Sequence, residues 1–586
     1  MRRVLAPFSS LAFACALALA ATAQVNPPVP PPSGPVNPPG GVVTPAPAPP
    51  TPPSPGPTPP AGSQPAPSTV PLAPTESPST SPAASPGPGE TPAPPPTAGP
   101  TQPPIFVEPP QVSVEPGKTV AARVNRSLGS ITATVADPAV ASVVVDQAQR
   151  VIYISGLKIG ATTVTVTDLR GVTRDVPVRV AYAAGTVADE TTVRVTGNPA
   201  SSDFLREAIE RAVEHASTAR PGATVDVVPE TIPLRGDLKI DNRAELDVPV
   251  NIAGDGYLNV RGTTHVIVEN TALPSIQPAR LLVSDYPERL TANGVLFTAH
   301  LDRTQAQRFL YYHYNPGSEP ARRILLKARN SSNAPALVQV IDGSAGPGIN
   351  EMEVGHLSTK RFLVHEARNE GAVITIAPNA TMNLVDYPLP PQNIVSAILQ
   401  LRLVSGDPLD LTLVAQDFKA PLDQSVDTTQ LLAGGAPHAR GVYPVPTFFF
   451  ERTYDVDGAD LDIPIGQLPL PNMRQGEALS GDYGVEQDMK VVIVNMTRGP
   501  RSIALYANPR GGRATGTFLI DDTLVQAHAL AAFSRFKIWQ ETINPGTFRL
   551  VHVVTMPEGG SSYPLRLTFA ADDGSVAPGA PGSPIY

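Results

Sequence analysis

The densest group of acidic side chains in the sequence is Asp455-Val-Asp457-Gly-Ala-Asp460-Leu-Asp462. Closely spaced carboxylates beside a glycine offer the oxygen ligands that Ca²⁺ prefers. The run is not an EF-hand loop, because its glycine is misplaced and no glutamate closes it. A Ca²⁺ site at Asp455–Asp462 therefore stays open, and the pattern favours a solvated loop.

The histidines do not form a metal-binding or catalytic pattern. Nine are scattered along the chain, without an H-x-H or H-E-x-x-H spacing and without a partner cysteine. His313 lies in an aromatic strand, where a hydrogen-bonded ring is the favoured interpretation over a metal ligand. The G-x-S-x-G motif of a serine hydrolase is also absent. We therefore predict no catalytic, cofactor-binding or metal residues, and a protein that is not an enzyme.

Two aromatic groups could form a sugar-binding platform. One comprises Tyr311, Tyr312 and Tyr314, and the other is Phe448-Phe-Phe450. Aromatic rings also dominate the cores of β-sandwiches. A place in the core is the favoured interpretation of both groups.

Composition and charge restrict the function classes. The chain has 586 residues, of which 71 are Pro and 46 are Gly, and its formal net charge is -9. This charge excludes a broadly basic nucleic-acid-binding protein. At roughly 150 residues per domain, the length allows about four folded units at most.

The first 23 residues have the pattern of a secretory signal peptide. Arg2 and Arg3 precede an apolar run, and Ala21-Thr-Ala23 provides an A-x-A cleavage site. Cys15 lies within this run, so lipidation is an alternative, although the residues before it do not fit the usual lipoprotein pattern. Cleavage would remove the one cysteine, leaving no thiol for disulfides or metal binding. No later stretch is apolar enough to predict a transmembrane segment.

Residues 24–105 are predicted to be a disordered, proline-rich linker. Between residues 25 and 104, 33 of 80 residues are Pro, and the only charged residues are Glu76 and Glu90. Such a segment cannot bury enough apolar surface to offset the entropy of ordering. Proline favours the extended polyproline II conformation, so the segment is interpreted as a spacer. The final residues, 576–586, are predicted to be a disordered tail.

Residues 106–183 alternate between apolar and polar side chains in short runs separated by turns. This pattern predicts a small Ig-like β-sandwich. Its characteristic steps are Asp137-Pro138-Ala-Val140-Ala141, Gly156-x3-Gly160-Ala-Thr-Thr and Asp168-x2-Gly171. With these motifs the segment resembles the pilus-formation-protein N-terminal domain found in secretins and Flp-type pilus assembly. It also resembles bacterial group-2 Ig-like domains, with the pilus type favoured.

The segment after the sandwich, residues 187–272, is predicted to be a small α/β unit with additional strands. Apolar residues from Leu205 to Ala216 recur at helical spacing and predict one amphipathic helix, with Ser202 as its N-cap. This is the one helix that the sequence clearly predicts.

Two further β-sandwiches are predicted at 278–420 and 440–575. A strand, an asparagine, a polar turn and another strand occur at Asn330 and again at Asn495, 165 positions later. This recurrence suggests that the two sandwiches are related. Gly346-Pro-Gly and Val354-Gly-His356 are interpreted as loop residues.

Together these features predict a mainly β protein with several Ig-like or β-sandwich domains in tandem and one small α/β element. The resemblance at 106–183 implies an exported, non-enzymatic component or accessory of a bacterial pilus or a type II/III-like secretion assembly. Its partners would be proteins of that assembly or of the cell envelope, in the periplasm or at the cell surface. The alternative is a surface adhesin or an envelope- or polysaccharide-binding protein.

Overall fold

The computed structural model describes residues 103–575 and the pair 583–584. The predicted signal peptide with Cys15, nearly all of the predicted linker and most of the predicted tail lie outside these residues. Strands account for most of the regular structure, which confirms the prediction of a mainly β chain.

Eight short strands form the first sandwich. They are β1 (Phe106–Glu108), β2 (Val112–Val114), β3 (Thr119–Asn125), β4 (Ile131–Val135), β5 (Ala141–Asp146), β6 (Val151–Gly156), β7 (Gly160–Asp168) and β8 (Thr173–Val180). The two sheets have the orders β1-β3-β6-β5 and β2-β8-β7-β4. Alternate side chains such as Val164 and Val166 face inward and are fully buried, as expected for strands covered on one face.

The α/β unit follows as β9 (Gly185–Thr186), β10 (Glu190–Thr196), α1 (Ser202–Ala216), β11 (Thr218–Ala219), β12 (Ala223–Asp226), a 3₁₀ turn (Pro229–Thr231), β13 (Arg243–Gly254) and β14 (Val260–Asn270). The predicted helix is present, but its N-cap is Ser201, whose side chain accepts the N–H of Phe204. The predicted N-cap, Ser202, is the first helical residue. The apolar stripe of α1, which includes Leu205 and Ile209, packs on the sheet.

The next part of the chain contributes β15 (Pro278–Ser284), β16 (Gly294–Leu301), β17 (Ala306–Tyr314), β18 (Arg322–Arg329), β19 (Ala336–Asp342), β20 (Ala345–Gly348), α2 (Glu351–Ala367), β21 (Gly371–Ile376), β22 (Thr381–Leu389), β23 (Ile394–Ser405), β24 (Leu409–Asp417) and β25 (Arg440–Tyr443). An 11-stranded sheet follows the path β12-β13-β14-β10-β21-β19-β23-β17-β15-β25, with β20 beside β23. One sheet therefore runs across the predicted limit between 187–272 and 278–420. The predicted domain limits themselves stay predictions.

Helix α2 corrects the interpretation of this segment as loop. Asn350 caps it by accepting the N–H of Glu353. Its buried residues lie on several sides and include Gly355, His356, Phe362 and Leu363. A helix covered on several sides lacks the one-sided apolar stripe by which amphipathic helices are found in a sequence.

The last sandwich contains β26 (Thr447–Asp455), β27 (Leu461–Ile465), β28 (Glu486–Asn495), β29 (Arg501–Pro509), β30 (Ala514–Ile520), β31 (Thr523–Leu530), β32 (Phe536–Ile543), β33 (Thr547–Thr555), β34 (Leu565–Ala571) and β35 (Ser583–Pro584). Its sheets have the orders β26-β28-β33-β30-β31-β35 and β27-β34-β29-β32.

The strand order of this sandwich repeats that of the preceding one. The sheet β16-β24-β18-β22 matches β27-β34-β29-β32, and the path β15-β17-β23-β19 matches β26-β28-β33-β30. In both cases the first pair, β15 with β17 and β26 with β28, is parallel. We call strands β15–β24 the first repeat and β26–β34 the second repeat. Helix α2 is inserted between two strands of the first repeat.

The strand orders also correct the asparagine pairing suggested by the sequence. Asn495 ends β28, whose counterpart is β17, and β17 is followed by Asn315 rather than Asn330. The side-chain amides of Asn315 and Asn495 donate to the carbonyls of Leu389 and Ile543, the last residues of the matching strands β22 and β32. The two equivalent asparagines are thus 180 positions apart in the sequence. Asn330 follows β18 instead, and it resembles Asn495 in its local hydrogen bonds, since its side-chain amide holds a turn and donates to the carbonyl of Ile376 at the end of β21.

Candidate functional site

The segment Asp455–Asp462, favoured as a solvated loop with a Ca²⁺ site left open, does not bring its carboxylates together. Its aspartates instead contact separate arginines: Asp457 with Arg501 at 3.1 Å, Asp460 with Arg535 at 3.9 Å and Asp462 with Arg566 at 2.9 Å. Between residues 103 and 575, no group of three or more His, Cys, Asp or Glu side chains is arranged to hold a metal ion. These aspartates act as surface ion-pair partners.

His313 is fully buried in β17, and both its ring nitrogens have partners. Nδ1–H donates to the carbonyl of Pro287 at 3.0 Å, and Nε2 lies 3.2 Å from Oγ of Ser284. Burial lowers the pKa of His313 to about 4, although the Pro287 bond favours the charged form. The ring is therefore neutral at physiological pH, and its nitrogens are occupied by structural hydrogen bonds.

The aromatic groups do not form one platform. Tyr311 is fully buried in the core of the first repeat, whereas Tyr312 and Tyr314 point to the other face of the sheet, toward α2. Phe448 and Phe450 are partly buried in two different cores. Phe449, between them, is 65% exposed. Alternation along β26 turns Phe449 away from Phe448 and Phe450, whose ring centroids lie 6.1 Å apart at an interplanar angle of 48°, so these three side chains form no flat stack.

One end of the first sandwich exposes two leucines side by side. Leu128, in the β3–β4 loop, is 58% exposed, and Leu169, in the β7–β8 loop, is 70% exposed. The backbone N–H of Leu169 donates to the carbonyl of Leu128 at 3.1 Å. We call this end, formed by residues 126–130, 147–150 and 169–172, the tip. Two exposed leucines on adjacent loops form a small apolar patch, which is a candidate contact surface.

Arginine side chains surround the leucines of the tip. The Arg126 guanidinium stacks over Phe106 with 4.8 Å from its carbon to the ring centroid. Arg150 donates to the hydroxyl of Ser127 at 2.6 Å. Arg170 pairs with Asp168 at 2.6 Å. The tip therefore combines apolar side chains with an excess of positive charge, and arginine beside apolar residues is enriched at protein interfaces.

Asp168 fixes the shape of the tip from beneath. Its carboxylate accepts the backbone N–H of Leu128 at 3.0 Å and that of Arg170 at 2.9 Å. Burial would raise the pKa of Asp168, but the Arg170 side chain and the backbone N–H donors outweigh it and lower the pKa to about 2. The aspartate of the Asp168-x2-Gly171 motif is thus a structural residue that joins two loops.

An edge strand of the same sandwich is a second candidate contact surface. β5 pairs only with β6, so its other backbone edge has no neighbouring strand among the described residues. Val144, at the middle of β5, is 66% exposed. An open edge with apolar side chains can accept a strand from another protein.

The opposite end of the first sandwich faces the rest of the chain. The Glu115 carboxylate accepts the N–H of Ala183 at 2.9 Å, and Arg179 donates to the carbonyl of Tyr257 at 3.1 Å. Gly156 lies so close to the Glu115 carbonyl that a Cβ would approach it to 2.7 Å. The glycine of the Gly156-x3-Gly160 motif is therefore required by close backbone approach. The tip is the end of the sandwich that lies away from these contacts with the rest of the chain.

Two buried polar clusters join the repeats through α2. In the first, the fully buried Arg308 donates to Glu486 at 2.7 Å and to Glu366 of α2 at 3.3 Å. In the second, Nδ1 of His356 on α2 lies 2.9 Å from the fully buried carboxylate of Glu558. Each buried charge faces a group of opposite or complementary polarity, as burial requires. These clusters hold the repeats together.

The sequence motifs include Gly171 of the tip and His356 of the second cluster, but they do not indicate the role of either group of residues. The tip had a recognisable signal, since Arg126-Ser-Leu128-Gly and Leu169-Arg-Gly171 place leucines in turns beside arginines. The clusters had none, because their partners lie far apart in sequence. Within the described residues, no helix has the length and apolar character needed to cross a membrane.

The comparison with protein families gives one match. Residues 108–181 match the family model of the pilus formation protein N-terminal region of type II and type III secretion systems. This confirms the resemblance inferred for 106–183 and covers the first sandwich with its tip. No curated protein matches the chain in sequence.

Some solved structures are weakly similar. Domains 5–6 of the S-layer protein SbsC share 16% identity, covering 29% of this chain and 97% of that chain at a TM-score of 0.13. SGBP-B of the Bacteroides ovatus mixed-linkage glucan utilization locus shares 9% identity, covering 52% of this chain and 71% of that chain at a TM-score of 0.12. Drosophila N-cadherin EC1-4 shares 11% identity, covering 29% of this chain and 50% of that chain at a TM-score of 0.12. TM-scores this low support no conclusion about function.

Proposed function

We propose that this chain is an exported, non-enzymatic component or accessory of a bacterial pilus or secretion assembly. The observation that carries the proposal is the family match over residues 108–181, which coincides with a sandwich whose tip is exposed. The predicted signal peptide at 1–23 supports export to the periplasm or cell surface.

In this proposal the first sandwich docks on a protein of the assembly through its tip. The exposed Leu128 and Leu169 would enter an apolar pocket, and the surrounding arginines would pair with acidic residues of the partner. The predicted linker, 24–105, would act as a spacer, and the two repeats would form a rigid body behind the docking sandwich.

A crosslinking pull-down from native cells tests this function. The intact exported protein is compared with a version that lacks residues 106–183. Recovery of pilus or secretion subunits only with the intact protein supports the proposal. Recovery of wall polymer or a surface ligand alone, unchanged by the deletion, contradicts it and favours the adhesin alternative.

Point variants identify the docking surface. Leu169→Glu changes the tip, and Leu157→Glu is the matched control, because Leu157 is 52% exposed in the β6–β7 loop at the opposite end. We expect Leu169→Glu to reduce recovery of the partner by about tenfold or more, and Leu157→Glu to leave it unchanged. Loss with Val144→Lys instead would identify the β5 edge as the contact.

A further inference from the structure

A cleft opens between the α/β unit and the first repeat, where two neighbouring strands of the large sheet separate. β10 and β21 pair over two residues only, and this pairing ends at Val195 and Ala372. Beyond it both strands continue, β10 back to Glu190 and β21 on to Ile376, without pairing to each other. The cleft has a volume of about 320 Å³. This lies within the range of about 300–1,000 Å³ that is typical of ligand pockets.

The separated strands turn backbone groups toward the cleft. The carbonyls of Asp189 and Val195 accept N–H groups on the β14 side. Alternation along β10 therefore points the N–H and C=O of Thr192 the other way, toward β21. Gly371 donates its N–H to a side chain of β10 at 3.0 Å, so the same alternation points the backbone groups of Thr375 toward β10. In the described part of the chain, no strand lies between these two edges.

The cleft is long and has apolar walls. Helix α1 forms one wall, on which the lining residues extend from Phe204 to His215. At 1.5 Å per helical residue this wall is about 16 Å long, which is the length of about five residues of an extended strand. Ala208 and Ala212 leave room along the wall because their side chains are small, and Leu384 of β22 also lines the cleft. These dimensions fit an extended chain.

His365 of α2 offers an unused hydrogen-bonding atom to the cleft. It lines the cleft at the Phe204 end, with the two ring centroids 5.2 Å apart, and is 7% exposed. Its Nδ1–H donates to the carbonyl of Asp342 at 2.8 Å, whereas Nε2 has no hydrogen-bond partner among residues 103–575. A buried polar atom without a partner costs free energy, and an N–H group of a ligand can donate to it.

The charges beside the cleft favour a basic occupant. Arg211 lines the cleft but is paired with Asp342. Glu210 and Glu214, which flank Arg211 on α1, have no ion-pair partner among the described residues. Burial raises the pKa of Glu214 to about 7, and the nearby carboxylates of Glu210 and Asp386 add to this, while Arg211 opposes it. A lysine or arginine of a bound chain would offset this excess of acidic groups.

We infer that the cleft binds an extended segment of a partner protein, which adds as a strand between β10 and β21. The segment alternates apolar, β-branched side chains and carries a lysine or arginine that reaches Glu214. Such a strand supplies the donors and acceptors that both open edges need. An acyl chain of the same length would leave these backbone groups and Nε2 of His365 without partners. This site goes beyond the docking function proposed for the tip and does not depend on it.

Selection from a phage library of random heptapeptides tests the inference. The target is the chain without the predicted signal peptide, residues 1–23. We expect the enriched peptides to alternate β-branched residues and to carry a lysine or arginine. Failure to enrich any peptide, or enrichment of acidic or proline-rich peptides alone, overturns the inference. The tip variant Leu169→Glu should bind the selected peptide as the wild type does, so this result is separate from the docking function.

Two variants of α1 place the peptide in the cleft. Ala212→Phe fills the cleft, and we expect it to weaken binding of the selected synthetic peptide by about tenfold or more. Asp203→Phe is the matched control, because the Asp203 side chain is 95% exposed on the same helix and outside the cleft. Equal affinity of Ala212→Phe and the wild type contradicts the inference. Circular dichroism checks that each variant is folded.

Changes to the peptide test the mode of binding without altering the protein. A single N-methyl group on a central residue removes a backbone donor and should weaken binding by about tenfold or more, whereas one on the first residue should have little effect. Glu214→Gln should weaken a peptide with lysine but not the same peptide with norleucine in its place. Binding that is insensitive to central N-methylation contradicts strand addition. Dodecanoate binding that Ala212→Phe abolishes, without any peptide binding, would identify an acyl ligand instead.

Discussion

Replacing Glu366, at the junction between the repeats, by glutamine should remove a pH dependence from the stability of the folded protein. Glu366 lies at the end of α2, with its carboxylate 3.3 Å from the Arg308 guanidinium. Burial raises the pKa of Glu366, and the neighbouring Glu486 adds to this, while Arg308 opposes it. The result is a pKa of about 8, so the buried carboxyl keeps its proton at neutral pH.

The direction of this pH dependence follows from the pKa values of Glu366 in the folded and in the unfolded protein. Unfolding exposes Glu366, whose pKa then returns to about 4.5. Between these values the folded protein holds more protons than the unfolded chain, so its stability falls as pH rises from about 4.5 to about 8. At about 1.4 kcal/mol per pH unit, the unfolding free energy falls by at most roughly 5 kcal/mol over this range. Because the Glu366 side chain is partly exposed, we expect a loss of about 2–4 kcal/mol.

Glutamine has the same shape and cannot ionise. Glu366→Gln should therefore match the wild type in stability at about pH 5 and exceed it by about 2–4 kcal/mol at about pH 8.5. Urea unfolding, followed by circular dichroism and by the fluorescence of Trp539, the single tryptophan, measures the difference. Glu353→Gln is the control, since Glu353 lies on the same helix and is exposed. Parallel loss of stability by wild type and Glu366→Gln over this range would refute the reasoning.

Three further predictions concern the packing of the repeats. Gly355→Ala should cost about 2–3 kcal/mol in unfolding free energy, because its Cβ would collide with the backbone of the second repeat. Gly499→Ala is the control and should cost less than about 1 kcal/mol, because open space surrounds the added Cβ. Asn495→Ala should cost about 1–3 kcal/mol, because the buried carbonyl of Ile543 loses its side-chain donor. The Gly499 carbonyl keeps the Thr497 hydroxyl as a donor. The exposed Asn544→Ala should be near neutral in the same urea titration. For His356, burial disfavours the charged ring, but its buried glutamate partner raises the pKa above 6.5. The charged His356 ring therefore stabilises the folded protein below about pH 6.5, and this stabilisation is lost as pH rises through the higher pKa of the folded state. The unfolding free energy of His356→Gln should thus differ from that of the wild type more at low pH than at high pH. An equal difference at both would contradict this.

Several features could be predicted from the sequence because they depend on neighbours along the chain. Alternation over a few residues indicated most strands of the first sandwich, and helical spacing indicated α1. The Asp168-x2-Gly171 turn was recognisable because the carboxylate binds backbone N–H groups within its own loop. The same local motifs carried the family resemblance, which the match to residues 108–181 confirms.

Tertiary structure decided the features that depend on distant residues. Helix α2 was missed because burial on several sides removes the polar face that periodicity detects. Asn330 was paired with Asn495 because similar turns have similar sequences, whereas the true counterpart, Asn315, is defined by strand order. The partners of Arg308 and His356 lie 178 and 202 positions away. Which face of a sheet is covered depends on such contacts, and local sequence does not record them.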